Sequence, residues 1–264
     1  MPTFEIGDAE IYYETHGTGT PLLLVPGLGG VGNYWTPNIR ALAGQYQVVI
    51  HDHRGTGKSS RSRIRYSVDQ MTADLVALMD HLELDKAHLI GHSTGGAIGQ
   101  TLAVIQPHRL KSMVIYASWT KNDPYFARVF EARRTLLTAS GSAAYVRSAP
   151  IFLYPDWWIN ENLALLEERE KTTIPACPPI DIVAARIDAI LDFDRTADLP
   201  GIALPSLILC AKDDILTPPY FSRELARLIP GAEFVELDRG GHCASETNTL
   251  PFNAAVLDFM ARHD

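Results

Sequence analysis

Ser93 stands between two glycines in Gly91-His92-Ser93-Thr94-Gly95, where the apolar run Ala87 to Ile90 gives way to small residues with helical spacing. A G-x-S-x-G segment at a strand-to-helix turn marks its serine as a candidate nucleophile. A serine hydroxyl reacts only when a base takes its proton and donors stabilise the charge that forms. His242, in Gly240-Gly241-His242, lies after the strand expected at Glu233 to Leu237 and before the last helix. A neutral imidazole there can accept the serine proton and return it to a leaving group. An orienting carboxylate is expected after the preceding strand, where Asp213 and Asp214 both stand. Spacing does not choose between them, and an aspartate at such a place also closes a turn on its own. Thr94, at a helix start, offers one backbone N–H to an oxyanion; Leu28, in the glycine-rich loop Gly27 to Gly32, offers the other. That loop lacks both the G-x-G-x-x-G spacing and the Lys-Ser/Thr pair of phosphate-binding loops, so a cofactor domain is the weaker reading.

These residues need a scaffold that brings loop ends together, and the hydrophobic pattern supplies one. Ile11 to Glu14, Leu22 to Val25, Gln47 to Ile50, Ala87 to Gly91, Lys111 to Tyr116, Leu204 to Ala211 and Glu233 to Leu237 read as strands. Between them, helices are expected over Trp35 to Leu42, from a Ser67 cap to about Leu82 with Asp74 and Asp80 on the polar side, over Gly95 to Ile105, and over Phe221 to Ile229. Leu250 to Ala261 reads as the terminal helix. Alternating short strands and amphipathic helices predict an α/β fold with a mostly parallel central sheet. The alternation stops from Lys121 to Thr196, where the pattern is helical. A cap formed by residues 121–196, inserted into a core of 1–120 and 197–264, is the economical division.

Composition narrows the function classes. The 264 residues suffice for one domain with a sizeable core. A formal charge of −8, with no Lys or Arg run, disfavours a nucleic-acid partner. Cys177, Cys210 and Cys243 are odd in number and not spaced for a metal or disulfide framework, which favours a reduced, cytoplasmic setting. The first residues do not read as a signal peptide, and no apolar run reaches the roughly 18 residues of a membrane span, so a soluble protein acting on a small molecule is expected. The chemistry calls for neither metal nor organic cofactor, and the oligomer expected is a monomer or homodimer.

Ser93 in its pentapeptide, Pro26 to Gly30, the run Asp52-His53-Arg54-Gly55-Thr56-Gly57, Asp214 before Pro218, and Gly241 with His242 together resemble the α/β-hydrolase superfamily over nearly the whole chain. The resemblance implies Asp214 rather than Asp213 as the acid, and a helical cap over the catalytic face. It also implies a scaffold role for His53 and Arg54. Pro26 departs from the family in standing where a histidine often precedes the oxyanion glycine. More narrowly, Tyr34 and Trp35 after the glycine loop, Trp119, the stretch Phe152 to Trp157, and Gly240 to Cys243 are similar to the aminoacrylate hydrolases of pyrimidine degradation. Ser93 stands where some members of that group carry another residue, which favours ordinary serine hydrolysis.

Substrate choice is expected to lie with Gly27, His92, Trp119, Phe152, Tyr154, Trp157 and Trp158 as pocket residues. Arg128, Arg133 and Arg134 are candidates to hold a substrate carboxylate by a bidentate fork. The resulting expectation is a serine hydrolase cleaving a carbonyl C–O or C–N bond through an acyl-enzyme, on carbamate- or aminoacrylate-like substrates. Enol-lactone hydrolysis or general carboxylesterase activity is the alternative. Carbon–carbon bond hydrolysis and a non-enzymatic ligand receptor stand further off.

Overall fold

The computed structural model describes residues 2–264. Eight strands form one sheet: β1 (Thr3–Ile6), β2 (Ala9–His16), β3 (Thr20–Val25), β4 (Tyr46–His51), β5 (Ala87–His92), β6 (Leu110–Tyr116), β7 (Ser206–Ala211) and β8 (Glu233–Leu237), in the order β1-β2-β4-β3-β5-β6-β7-β8. From β4 to β8 all neighbours are parallel, and the β1-β2 and β2-β4 pairs are antiparallel. β1 has no counterpart in the sequence reading. Its four residues alternate exposed and buried, too short a run to register as a period.

Helices cover both faces, which is why the parallel strands read as continuous apolar runs. Leu23 and Val25 of β3 point to the side covered by α2 (Val68–His81), α3 (Thr94–Ile105) and α8 (Pro219–Leu228). Leu22 and Leu24, one step out of phase, point to the side covered by α1 (Thr36–Leu42) and α10 (Thr249–Ala261). The Ser67 hydroxyl caps α2 by accepting the Gln70 N–H at 3.0 Å. Asp74, expected on that helix's polar side, is instead buried, because the Arg54 guanidinium forks onto its carboxylate at 2.9 and 3.0 Å. β7 starts at Ser206 rather than Leu204, since Pro205 has no N–H to give a ladder.

Between β6 and β7 the chain makes four helices: α4 (Pro124–Leu153), α5 (Asp156–Glu161), α6 (Leu163–Ala176) and α7 (Ile180–Leu191). Gly141, at φ 82°, breaks α4 into two arms. The entry and exit of this helical cap are pinched together by an antiparallel bridge between Lys121 and Asp194, and by the Arg195 N–H donating to the Thr120 carbonyl at 3.0 Å. A short α9 (Ala244–Thr247) follows the His242 loop. No helix among the described residues is long and apolar enough to cross a membrane.

Strand order sets where a ligand can bind. From β3 the chain steps to β4 on one side and later returns to β5 on the other, so the connections leaving β3 and β5 diverge. Such a switch point opens a crevice at the carboxyl ends of the strands. Leu28 follows β3 and Ser93 follows β5.

Candidate active site

Ser93 sits at φ 53° and ψ −113°, a conformation that costs a non-glycine residue about 1–3 kcal/mol. The strain is held from both sides: the Ser93 N–H donates to the Tyr116 carbonyl at 2.8 Å, and the Ser118 hydroxyl donates to the Ser93 carbonyl at 2.8 Å. The flanking glycines are required by space. A Cβ on Gly95 would lie 2.2 Å from the Val25 carbonyl oxygen, and one on Gly91 would lie 2.2 Å from the Gly95 oxygen. Helix α3 can therefore start directly above the sheet, with Thr94 at its first position, where the backbone N–H has no acceptor within the helix. Gly27 completes the approach: a Cβ there would be 3.2 Å from that of Ser93.

Asp214 and His242 are buried and meet as a pair, with the His242 Nδ1–H donating to Asp214 Oδ2 at 2.9 Å. A carboxylate acceptor fixes the proton on Nδ1 and leaves Nε2 as the basic nitrogen. Asp214 Oδ1 accepts the N–H groups of Leu216 at 2.8 Å and Thr217 at 2.9 Å, so the turn-closing role of an aspartate and an imidazole-orienting role coexist on one side chain. The Thr217 hydroxyl donates to Asp214 Oδ2 at 2.8 Å and lies 3.1 Å from His242 Nδ1. Asp213 does different work. Its Oδ1 accepts the N–H groups of Gly240 and Gly241, each at 2.8 Å, and so shapes the turn that delivers His242. The His242 carbonyl accepts the Tyr116 hydroxyl at 2.7 Å and the His92 Nε2–H at 3.0 Å. His92, stacked on Tyr34 with ring centroids 4.5 Å apart, is held neutral by burial and secondarily by the neighbouring His242. It braces the His242 loop from below.

The cap contributes unequally. Trp119 is fully buried between Phe126 and Phe193, which makes it packing rather than pocket wall. Arg128 lies on an exposed face, and Arg134 is engaged by Asp188 of α7, so neither remains a candidate for a substrate carboxylate. Arg133, one position away, faces inward and is only 6% exposed. Its guanidinium lies 5.1, 5.3 and 5.5 Å from the ring centroids of Phe130, Tyr145 and Phe152, and donates to the Tyr145 hydroxyl at 3.2 Å. No carboxylate pairs with it among the described residues. Helical phase decides between these three arginines: Arg133 shares the buried face of its arm with Phe126, Phe130 and Leu137, and Arg128 and Arg134 do not.

Phe152 leads directly into the contact between the cap and the His242 loop. The Leu153 carbonyl accepts the Cys243 N–H at 3.1 Å, and a Cβ on Gly241 would sit 2.8 Å from Pro155. Tyr154 stacks on Trp158 with centroids 4.3 Å apart and donates its hydroxyl to Glu246 at 3.0 Å, while Arg169 pairs with the same carboxylate at 2.6 Å. Trp157 lies under Arg239 at 4.6 Å. Tyr154, Trp157 and Trp158 thus latch the cap onto the His242 loop. A cleft of about 240 Å³ between Arg65–Asp69 and Ala189–Arg195 touches none of the candidate reacting groups. Thr217, Ser118 and Tyr116 escaped the sequence reading, because their roles depend on contacts across the sheet and carry no motif.

The chain is 42% identical, over the full length of both sequences, to the RutD protein of Azorhizobium caulinodans, which is named as a carbamate hydrolase. It belongs to the α/β-hydrolase superfamily. The family model for the alpha/beta hydrolase fold matches residues 20–144 of this hydrolase. A second RutD protein, from Stutzerimonas stutzeri, is 38% identical over 95% of this chain and 97% of its own. Among solved structures, the enol-lactonase of Burkholderia xenovorans LB400 superposes with a TM-score of 0.90 at 25% identity, covering 98% of this chain and all of its own. The hydrolase stands close to the RutD proteins and is a serine-type enzyme of small carbonyl metabolites.

Proposed function

We propose that this hydrolase cleaves a C–O or C–N bond at the carbonyl of a small, carboxylate-bearing metabolite through an acyl-enzyme on Ser93. The observation that carries the reading is the buried His242–Asp214 pair at 2.9 Å, set at the same sheet end as a serine strained at φ 53°. Ser93 Oγ attacks the carbonyl carbon as its proton passes to His242 Nε2. Asp214 keeps the ring in the required tautomer and stabilises the imidazolium. The N–H groups of Leu28 and Thr94 receive the oxyanion. His242 then protonates the departing oxygen or nitrogen, and a water deprotonated by the same Nε2 releases the acid. Arg133 supplies a site for the substrate carboxylate. Carbamates stand first among the substrates of this reading, which the carbamate hydrolase name of the RutD relatives supports.

A second reading, lactone hydrolysis, draws on the enol-lactonase likeness, because ring opening uses the same attack and retains the leaving group in the product. Wild type and Ser93→Ala are to be compared on a panel of carbamates, carboxylated enamines, lactones and esters, with covalent trapping by a fluorophosphonate and mass spectrometry of the adduct. Trapping at Ser93 and its disappearance in Ser93→Ala are expected, with turnover down by roughly 10⁴- to 10⁶-fold. An adduct on another residue, or undiminished turnover in the variant, would remove Ser93 from the mechanism. Preference for the lactone over every open-chain substrate would select the second reading.

A further inference from the structure

Arg186, on cap helix α7, is one of the largest fully buried side chains, at 1% exposed. Its Nη1 donates to the Arg54 carbonyl at 3.0 Å, and its Nη2 donates to the Leu28 carbonyl at 3.0 Å and lies 3.1 Å from His53 Nδ1. Its Nε is buried without a partner, and no carboxylate pairs with it among the described residues. Arg54 below it is the contrast, with Asp74 and Asp8 both bound. Burying a guanidinium with no counter-charge disfavours folding, and an apolar side chain of that size would stabilise the fold as well or better. Stability therefore does not account for Arg186.

Its placement does. The glycine loop is anchored from the core at Gly30, whose carbonyl accepts the His53 N–H and the Thr56 hydroxyl, each at 2.7 Å. At Leu28 the anchor comes from the cap. A Cβ on Gly30 would stand 2.8 Å from Arg186 Nη2, so the glycine leaves the guanidinium its seat. We propose that Arg186 is a positioning residue of the oxyanion hole: by holding the Leu28–Gly29 peptide, it fixes the adjoining Gly27–Leu28 peptide, whose N–H receives the oxyanion. The hole is then complete only with the cap docked. This rests on the reading of Ser93 as nucleophile and of Leu28 as donor.

Arg186→Met and Arg186→Lys test it, using a neutral p-nitrophenyl ester, a boronic acid as reversible tetrahedral probe, and thermal unfolding. Fluorophosphonate labelling of wild-type Ser93 tests the underlying reading separately. Deleting an oxyanion donor costs about 10²–10³-fold in kcat, so loosening one should cost Arg186→Met about 10–100-fold, with boronate affinity falling by a similar factor. KM should stay within about threefold, since the lost interaction belongs to the transition state. The unfolding temperature should hold or rise. Arg186→Lys should fall between, because an ammonium can reach one carbonyl but cannot fork. Unchanged kcat and boronate affinity in either folded variant would overturn the proposal. So would a kcat loss matched by lower unfolding temperature and weaker substrate binding. If Arg186→Met does not fold, Arg186→Lys decides by the same readouts. An unlabelled wild-type Ser93 would overturn the nucleophile reading and this clamp with it.

Discussion

The loops at the carboxyl ends of the strands and the helices that cover them hold their charged groups in opposite ways. Asp214 accepts two backbone N–H groups, a hydroxyl and the His242 ring, and so has little freedom to turn. Arg133 in the cap gives one hydrogen bond to a neutral hydroxyl and otherwise rests on three aromatic faces. A saturated carboxylate serves a fixed geometry, and catalysis gains most from groups that need no reorganisation. An unpaired guanidinium in an aromatic setting retains donors for an anion. On the proposed reading, bond-making machinery is built into the sheet end, and selection is left to the cap.

The largest effect that tests this division lies within the loops. Asp214→Asn keeps the shape but reverses the preferred histidine tautomer, so kcat should fall by about 10⁴-fold. Asp213→Ala frees the N–H groups of Gly240 and Gly241 and displaces His242 without altering its partner. A displacement of that kind should cost on the order of 10²-fold or less. Steady-state kinetics on one ester substrate checks both variants. Equal losses would mean that shaping the loop matters as much as orienting the ring, and the special status of Asp214 would go.

The same division decides what could be read from sequence. Seven of the eight strands are legible; the parallel strands β3 to β7, buried on both faces, read as continuous apolar runs, and the Ser93, Asp214 and His242 segments follow β5, β7 and β8. The choice of Asp214 over Asp213 came from resemblance alone, since both lie on one turn and only their hydrogen bonds separate them. Cap roles were less legible. Arg128, Arg133 and Arg134 lie within two turns of one helix, and their fates differ because one faces solvent, one meets Asp188 and one faces inward. Arg186 carries only a faint signal: it stands four residues from both Ile182 and Ile190, on the apolar face of α7, where an arginine is out of place.

A smaller effect sharpens the cap's side. Arg133→Met keeps the bulk against Phe130, Tyr145 and Phe152 but removes the charge. Specificity measured as kcat/KM for a carboxylated ester relative to its neutral counterpart should fall by about 10–100-fold, the scale of one charge-assisted interaction. A ratio equal to wild type would leave Arg133 as a packing residue and move selection elsewhere in the cap.

The smallest effect separates the regions by their response to acid. No histidine falls between Lys121 and Thr196, whereas the core buries His51, His53, His88, His92 and His242. Burial depresses His51 from 6.5 to about 4; His53 is lowered by burial and then by Arg186, and His92 by burial and then by His242. Above pH 6.5 His51 is neutral in both folded and unfolded chains, and its contribution does not change with pH. As pH falls from 6.5 toward 4 the unfolded chain takes up a proton that the folded chain refuses, so stability is lost across that window and the slope ends below it. For His51 alone the loss is at most on the order of 3 kcal/mol, at about 1.4 kcal/mol per pH unit. Unfolding by denaturant at a series of pH values should show this decline, and His51→Asn should flatten it between pH 6 and 4.5, by roughly one proton. An undiminished slope in that variant would shift the acid sensitivity to His53, His88 and His92. His88 lies against Ser112, away from the candidate site, whereas His53 meets Arg186 and His92 braces the His242 loop. A slope that survives a further His88→Asn would therefore tie acid stability to the groups around Ser93.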